Sequence, residues 1–293
     1  MSCRKGAGAV CGEGARVSAP AWPLVMAWAE SMVGAMAGVT EVFIQQPTVA
    51  WKNAMQEGRP RPWGPQMYRG VFVNAASIAP TNATQFAVNF ALCDLAERMS
   101  GEPSPGQRLA AAAAGGATSA LIATPAELVM LQQQKHGGTL MGTAVDVARQ
   151  HGVRALFRGL ESSAVRDAIY VGCYMGVAPV LREHLLATSE TCRANPGWTK
   201  LGAGLFAGIA AAVSSHPFDT IRTLQAANPG SGAYYNLAFP SAFRRALSER
   251  GWSGIFAGFV PRTMRVMGAV VIISESSTRY RDALGLPKPA GLQ

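Results

Sequence analysis

Apolar residues dominate stretches 24–55, 74–98, 108–134, 162–186, 200–226 and 261–284, and each exceeds the run of about 20 residues that a bilayer-crossing helix needs. None is purely lipid-facing. Each carries polar or ionisable positions, Glu41, Arg166 and Arg265 among them, and such residues in a span face a bundle interior or a wet cavity. The pattern therefore predicts six spans in three pairs around a polar interior. Between the spans, 140–150 and 238–250 place apolar residues at helical spacing with charges opposite, which predicts helices lying on the membrane surface. The corresponding connection in the first pair, 57–67, contains Pro60, Pro62 and Pro65, which deny a regular helix its donors and geometry.

The pairs are copies of one unit. Gly38, Pro47 and Gln56 recur with identical spacing as Gly116, Pro125 and Gln134 and again as Gly208, Pro217 and Ala226. Two residues after each proline stands Val49, Glu127 or Asp219; three residues further stands Lys52, Met130 or Arg222. An acidic slot and a basic slot thus recur, with one charge lost from each of the first two copies. Each connection ends in aromatic-x-Gly, at Gly70, Gly159 and Gly258. The prolines predict helix kinks at Pro47, Pro125 and Pro217, converging at one end of the bundle, where the charged slots would form a gate. Small residues four apart (Gly34 and Gly38, Ala112 and Gly116, Gly204 and Gly208) predict close helix packing. The organisation reads as a flexible tail, 1–22, followed by repeats 23–100, 101–192 and 193–293.

Composition agrees with a membrane protein: the 293 residues are 49% hydrophobic and 15% charged. The net charge of +9 does not point to nucleic acid, because no basic block interleaves with aromatics. The basic residues gather instead in the connections after the first, third and fifth spans, which by the positive-inside rule face the inner compartment. The five cysteines show no CxxC or metal spacing, and His136, His151, His184 and His216 stand isolated, so no metal or cofactor is expected. No phosphate loop, HExxH or nucleophile elbow occurs, so no enzyme and no catalytic residue is expected. The sequon at Asn82 falls inside an expected span.

On these motifs the chain resembles the mitochondrial carrier family, whose repeats close their first helix with Pro-x-[Asp/Glu]-x-x-[Lys/Arg] and follow it with aromatic-Arg-Gly. The resemblance implies an all-α membrane protein with six tilted transmembrane helices in three tandem pseudo-threefold repeats around a central cavity. It further implies a monomer in the inner mitochondrial membrane, both termini on the intermembrane-space side, bound cardiolipin, a small-molecule substrate, a matrix-side gate and alternating access by exchange or uniport. In that family each acidic slot meets the basic slot of the next repeat. Carried over, Glu127 meets Arg222, Asp219 meets Lys52 and Val49 meets Met130, so both lost charges fall on one pair. Removing both partners of a buried ion pair is often neutral, whereas removing one is strongly destabilising. Gln56 and Gln134 occupy the positions of the family's bracing residues. The opposite gate of the family is poorly matched, at Asn89, Phe90 and Cys93, at Ala178, Pro179 and Arg182, and at Ser277, Thr278 and Arg281.

For the cargo, Asn74, Ser77, Thr81 and Gln85 share one helical face, as do Ser162, Arg166, Tyr170 and Tyr174, with Asp167 beside Arg166. The family's contact positions map onto Ser77, the Arg166 and Asp167 pair, and Arg265. That adjacent pair resembles the branch carrying amino acids and carnitine: an arginine grips a carboxylate bidentately and Asp167 accepts from an ammonium. Glu41 is a further acceptor. The expectation is a carrier of a small zwitterion. The alternatives are a carboxylate or keto-acid carrier in which Asp167 merely holds Arg166, and a degenerate carrier acting as a receptor or scaffold.

Overall fold

The computed structural model describes residues 22–230 and 232–285, and among them no strand occurs. The expected N-terminal tail, with Cys3 and Cys11, lies outside the described residues apart from Trp22. The first repeat gives α1 (Trp22–Glu57) and α2 (Val71–Ser100), and the second begins with α3 (Pro105–His136) and a surface helix, α4 (Leu140–His151). Its second membrane helix is α5 (Leu160–Val171), a π-helical turn (Gly172–Val177) and α6 (Ala178–Thr188) in succession, followed by a short α7 (Glu190–Ala194). The third repeat is α8 (Pro196–Ala227), surface helix α9 (Phe239–Ile255) and α10 (Phe259–Ala283). Three of these stretches, Pro105–His136, Val153–Thr188 and Pro196–Ala227, are long and apolar enough to cross a membrane. A fourth joins them if α9 and α10, bent by 56°, count as one broken span.

The helices close a ring: α1 packs on α2 and α10, α2 on α3, α3 on α5, α5 and α6 on α8, and α8 on α10. Glycine sets how close the members of each pair lie. A Cβ on Gly116 of α3 would sit 2.3 Å from the Asp167 carbonyl oxygen of α5, and one on Gly115 would sit 2.7 Å from the Gln85 carbonyl oxygen of α2. Adjacent glycines thus wedge α3 between its two neighbours. The related positions Gly38 and Gly208 meet Ile78 and Val266 of the second helices of their own repeats. Since backbone cannot yield as a side-chain tip can, Gly116→Ala is expected to destabilise by about 1–3 kcal/mol, the usual penalty for overpacking. Thermal unfolding in detergent should show the loss, whereas Gly202→Ala in α8, which meets nothing within 4 Å, should not lower the midpoint and is expected to raise it slightly, alanine being the better helix former.

The fourth span is interrupted by the π-helical turn, which ends two residues before Pro179, and Gly172 and Gly176 let it lie against Leu109 of α3. Proline alone does not impose such a turn here, because α1, α3 and α8 run as continuous helices through Pro47, Pro125 and Pro217. The Asn82 sequon lies inside α2.

The connections match their patterns. Surface helices form over α4 and α9, while the proline-rich connection of the first repeat holds only a 3-10 turn, Gly64–Tyr68. It is nonetheless anchored, because Trp51 of α1 donates to the Pro62 carbonyl at 3.0 Å and packs edge-on against Trp63. Before α9, Tyr234 donates its hydroxyl to Glu249; burial and then that carboxylate push the phenol above its ordinary range, so it stays a donor at neutral pH.

Candidate functional site

The first helices of the three repeats converge at their proline ends, where the acidic and basic slots meet as the family resemblance implies. Gly70, Gly159 and Gly258 start the second helices with φ of 80°, 79° and 78°, a left-handed conformation that favours glycine. Each also lies against the basic slot of the next repeat around the ring: Gly70 against Met130, Gly159 against Arg222 and Gly258 against Lys52. The glycine therefore does two jobs, turning the chain into its second helix and letting the neighbouring repeat approach.

Lys52 Nζ lies 2.9 Å from Asp219 Oδ2, and Arg222 Nη2 lies 2.9 Å from Glu127 Oε2. Val49 and Met130 share a buried apolar cluster with Val73 and Val129. Gln56 donates to Asp219 Oδ2 at 2.9 Å and accepts from Thr223, directly beside the Lys52 pair. Gln134 has no ion pair to support, since its sector is the apolar one, and it accepts instead from Asn53 at 2.7 Å. Beyond this layer, Lys135 of α3 reaches Glu57 of α1 at 3.5 Å and donates to Asn228 at 2.7 Å, while Gln132 donates to the Ala226 carbonyl at 2.8 Å. These contacts satisfy carbonyls at the end of α8 and tie the ends of the three first helices together.

The largest departure from expectation is Arg166. Rather than standing open to a ligand, its side chain is 8% exposed and every one of its N–H donors meets a carboxylate of the chain. Nε and Nη2 donate to the two Asp167 oxygens at 2.8 and 3.0 Å, Nη1 and Nη2 to the two Glu127 oxygens at 2.9 and 3.1 Å, and Nη1 also to Asp219 Oδ1 at 3.2 Å. Both Asp167 oxygens are thus engaged by its neighbour. Arg166 also takes the aligned, bidentate place on Glu127, so Arg222 touches that carboxylate out of line for a hydrogen bond. Arg222 Nε and Nη2 have no hydrogen-bond partner although the residue is fully buried.

Arg262 was not singled out by the motifs. Its Nη1 lies 2.9 Å from Asp219 Oδ2 and its Nη2 donates to Ser215 at 2.6 Å. The available signal was its place three residues before Arg265, on the same side of the helix. Asp219 consequently receives Lys52, Arg262 and Arg166 together, from α1, α10 and α5. The cluster holds four cations, Lys52, Arg166, Arg222 and Arg262, against three carboxylates, Glu127, Asp167 and Asp219.

Arg265 is the most open arginine of the expected set, 36% exposed, with Nε 3.5 Å from Glu41 Oε1, which also accepts from Gln45 at 2.9 Å. Tyr170, Ser77 and Thr81 are half-buried. Two members of the expected binding stripe instead tie helices together: Asn74 donates to Gln46 of α1 at 3.0 Å and Gln85 to Ser119 of α3 at 3.1 Å. Ser162 likewise donates to Gln225 of α8 at 2.8 Å, whereas Tyr174 is exposed. At the opposite end of the ring, Thr40 of α1 and Tyr280 of α10 share a hydrogen bond of 2.6 Å.

A family profile described as "Mitochondrial carrier protein" matches residues 101–189 and 193–281, the second and third repeats. Outside that match lies the repeat with the apolar acidic slot and the proline-rich connection. The chain is 26% identical to "Mitochondrial citrate transporter D" of Aspergillus niger, over 80% of this chain and 87% of that protein. It is 28% identical to "Probable mitochondrial 2-oxodicarboxylate carrier" of Schizosaccharomyces pombe, over 80% and 86%. To "Mitochondrial arginine transporter BAC2" of Arabidopsis thaliana it is 31% identical, over 73% of each. The cargoes named for these relatives include both carboxylates and an amino acid, so the similarity shows the family without singling out the amino acid and carnitine branch.

Proposed function

The chain belongs to the mitochondrial carrier family, and from that premise we propose that it moves a small carboxylate-bearing metabolite across the inner mitochondrial membrane by alternating access. The observation that carries this reading is the surplus of one cation in the buried cluster. A net positive charge held away from water is costly, and an entering anion relieves it. Arg265, more open than Arg166, offers a planar fork that matches a carboxylate bidentately. Citrate, 2-oxodicarboxylates and arginine, the cargoes named for the three relatives above, have a carboxylate in common.

Whether the cargo also bears an ammonium turns on Glu41. Asp167 supports the keto-acid reading, since both of its oxygens hold Arg166. The zwitterionic reading has its support in the Glu41 and Arg265 pair, which an amino acid would replace by offering its carboxylate to Arg265 and its ammonium to Glu41. In the gate reading, the Lys52–Asp219 and Glu127–Arg222 pairs close the matrix side, Gln56 braces the first of them, and Val49 against Met130 fills the third sector.

Uptake of labelled citrate, 2-oxoglutarate, aspartate and arginine into liposomes carrying the purified full-length protein tests the proposal. At least one of these should accumulate, and Arg265→Ala should reduce uptake about 10- to 100-fold, the equivalent of losing a charged hydrogen-bonded contact of about 1.5–3 kcal/mol. Glu41→Gln should then remove transport of ammonium-bearing cargo while sparing 2-oxoglutarate. Accumulation of none of the four would overturn the carboxylate reading and favour a receptor or scaffold.

A further inference from the structure

The two slots that lack a charge, Val49 and Met130, leave the seam between α1 and α3 without an ion pair in the slot layer. Beyond its proline, however, each first helix still carries one acid and one lysine or arginine: Glu57 with Lys52 on α1, Glu127 with Lys135 on α3, Asp219 with Arg222 on α8. The two that stand outside the slots, Glu57 and Lys135, belong to the two repeats with a lost charge, and they lie 3.5 Å apart. We propose that the ion pair missing from the α1–α3 seam is moved outward along it, so that Glu57 and Lys135 hold this sector of the gate closed. The inference rests on the gate reading above and adds to it two residues that the repeated slots do not contain.

The helix faces support the shift. Val49, Asn53 and Glu57 follow at intervals of four, so they share one face of α1, and Glu57 sits about 12 Å beyond the slot. That face meets α3 at each level: Val49 shares an apolar cluster with Met130, Asn53 donates to Gln134 at 2.7 Å, and Glu57 receives Lys135. The pair is buried like a gate pair. Its side chains are 3% and 12% exposed, against 3% and 14% for Asp219 and Lys52, so it escapes the solvent screening that makes exposed ion pairs worth little.

Both partners are also aimed. Gly58, at φ 76°, turns the chain out of α1, and Arg59 folds back to donate to both Glu57 oxygens at 2.9 and 2.8 Å. Lys135 is steadied from the third repeat, donating to the Ala227 carbonyl and to Asn228 at the end of α8. Glu57, Lys135 and Ala227 each stand ten residues after their proline, so the relocated pair forms a second layer of the same threefold arrangement. The connection that departs from the repeat pattern thereby supplies, in Arg59, the group that orients the displaced acid.

The test measures access at the proline end. A single-cysteine reporter, Ser77→Cys in an otherwise cysteine-free full-length chain, is reconstituted in liposomes and labelled with a membrane-impermeant maleimide from the proline side. Glu57→Gln and Lys135→Gln should each raise labelling about tenfold, within the range usual for coupling between sites. Combined, they should raise it no further than the larger single change, because both remove one interaction. In a chain that also carries Val49→Glu with Met130→Lys, which returns a pair to the slots, Lys135→Gln should have little effect; a residue that merely steadies the helix ends would act equally in both backgrounds. Lys52→Gln is the control for the gate itself. If it raises labelling while Glu57→Gln and Lys135→Gln do not, or if those two act additively or undiminished in the slot-restored chain, the relocation is wrong and the gate reading stands. Labelling unmoved by all three single changes overturns the gate reading and the relocation with it. Should the slot-restored chain fail to fold, the additivity of Glu57→Gln and Lys135→Gln decides.

Discussion

Asp219→Asn is expected to abolish transport and to lower thermal stability more than any other single change in the charged cluster. Asparagine keeps the shape and can still accept from Gln56, so packing and neutral hydrogen bonding largely survive. What disappears is the only charge shared by Lys52, Arg262 and Arg166. Removing one partner of a buried ion pair costs about 3–5 kcal/mol, because the other is left charged and desolvated. Here three cations lose a common partner, although Arg166 retains Glu127 and Asp167, so the main loss falls on Lys52 and Arg262. Asp167→Asn makes the informative comparison: it removes an equal charge that only Arg166 contacts, and its effect should be clearly smaller. Unfolding midpoints of the two purified variants in the same detergent decide the matter. Equal midpoints would mean that Asp219 is not the hub its contacts describe.

The difference between these carboxylates also marks how far the sequence could be read. The family resemblance, carried onto the repeated slots, placed Asp219 opposite Lys52 and Glu127 opposite Arg222, and these contacts are present. The structure adds the reason that the register holds, in glycines whose positive φ and missing side chain seat each basic slot against the preceding repeat. Arg166 and Arg262 escape such reasoning because their reach breaks the symmetry. Neither has a basic counterpart at the matching place in the first repeat, where the corresponding part of α2 presents Asn74 and Ser77. A polar stripe read from helical spacing likewise identifies a face without identifying the neighbour it meets. Asn74 and Gln85 share that face, yet one bonds α1 and the other α3. The π-helical turn was hidden for a third reason: it leaves the hydrophobic run intact, and proline does not mark it, since Pro47, Pro80, Pro125 and Pro217 sit inside continuous helices.

Val49→Glu alone is expected to abolish folding or transport, and Val49→Glu combined with Met130→Lys to restore most of both. Val49 and Met130 are 4% and 6% exposed, in an apolar cluster with Val73 and Val129. A lone carboxylate introduced there meets no free cation, because Lys52, one turn along the same helix, is committed to Asp219. The charge must either stay desolvated or draw Lys52 from its partner, and either route costs several kcal/mol. Lysine at 130 would supply a counter-charge from the adjacent repeat with little change in side-chain length. The exchange is not free of strain, since Gly70 packs directly against Met130, so the double variant should recover less than the full parent stability. The sign of the coupling carries the test. A double variant clearly more stable than the sum of the two single effects establishes that positions 49 and 130 face each other across the ring, while additive effects would place them in independent surroundings.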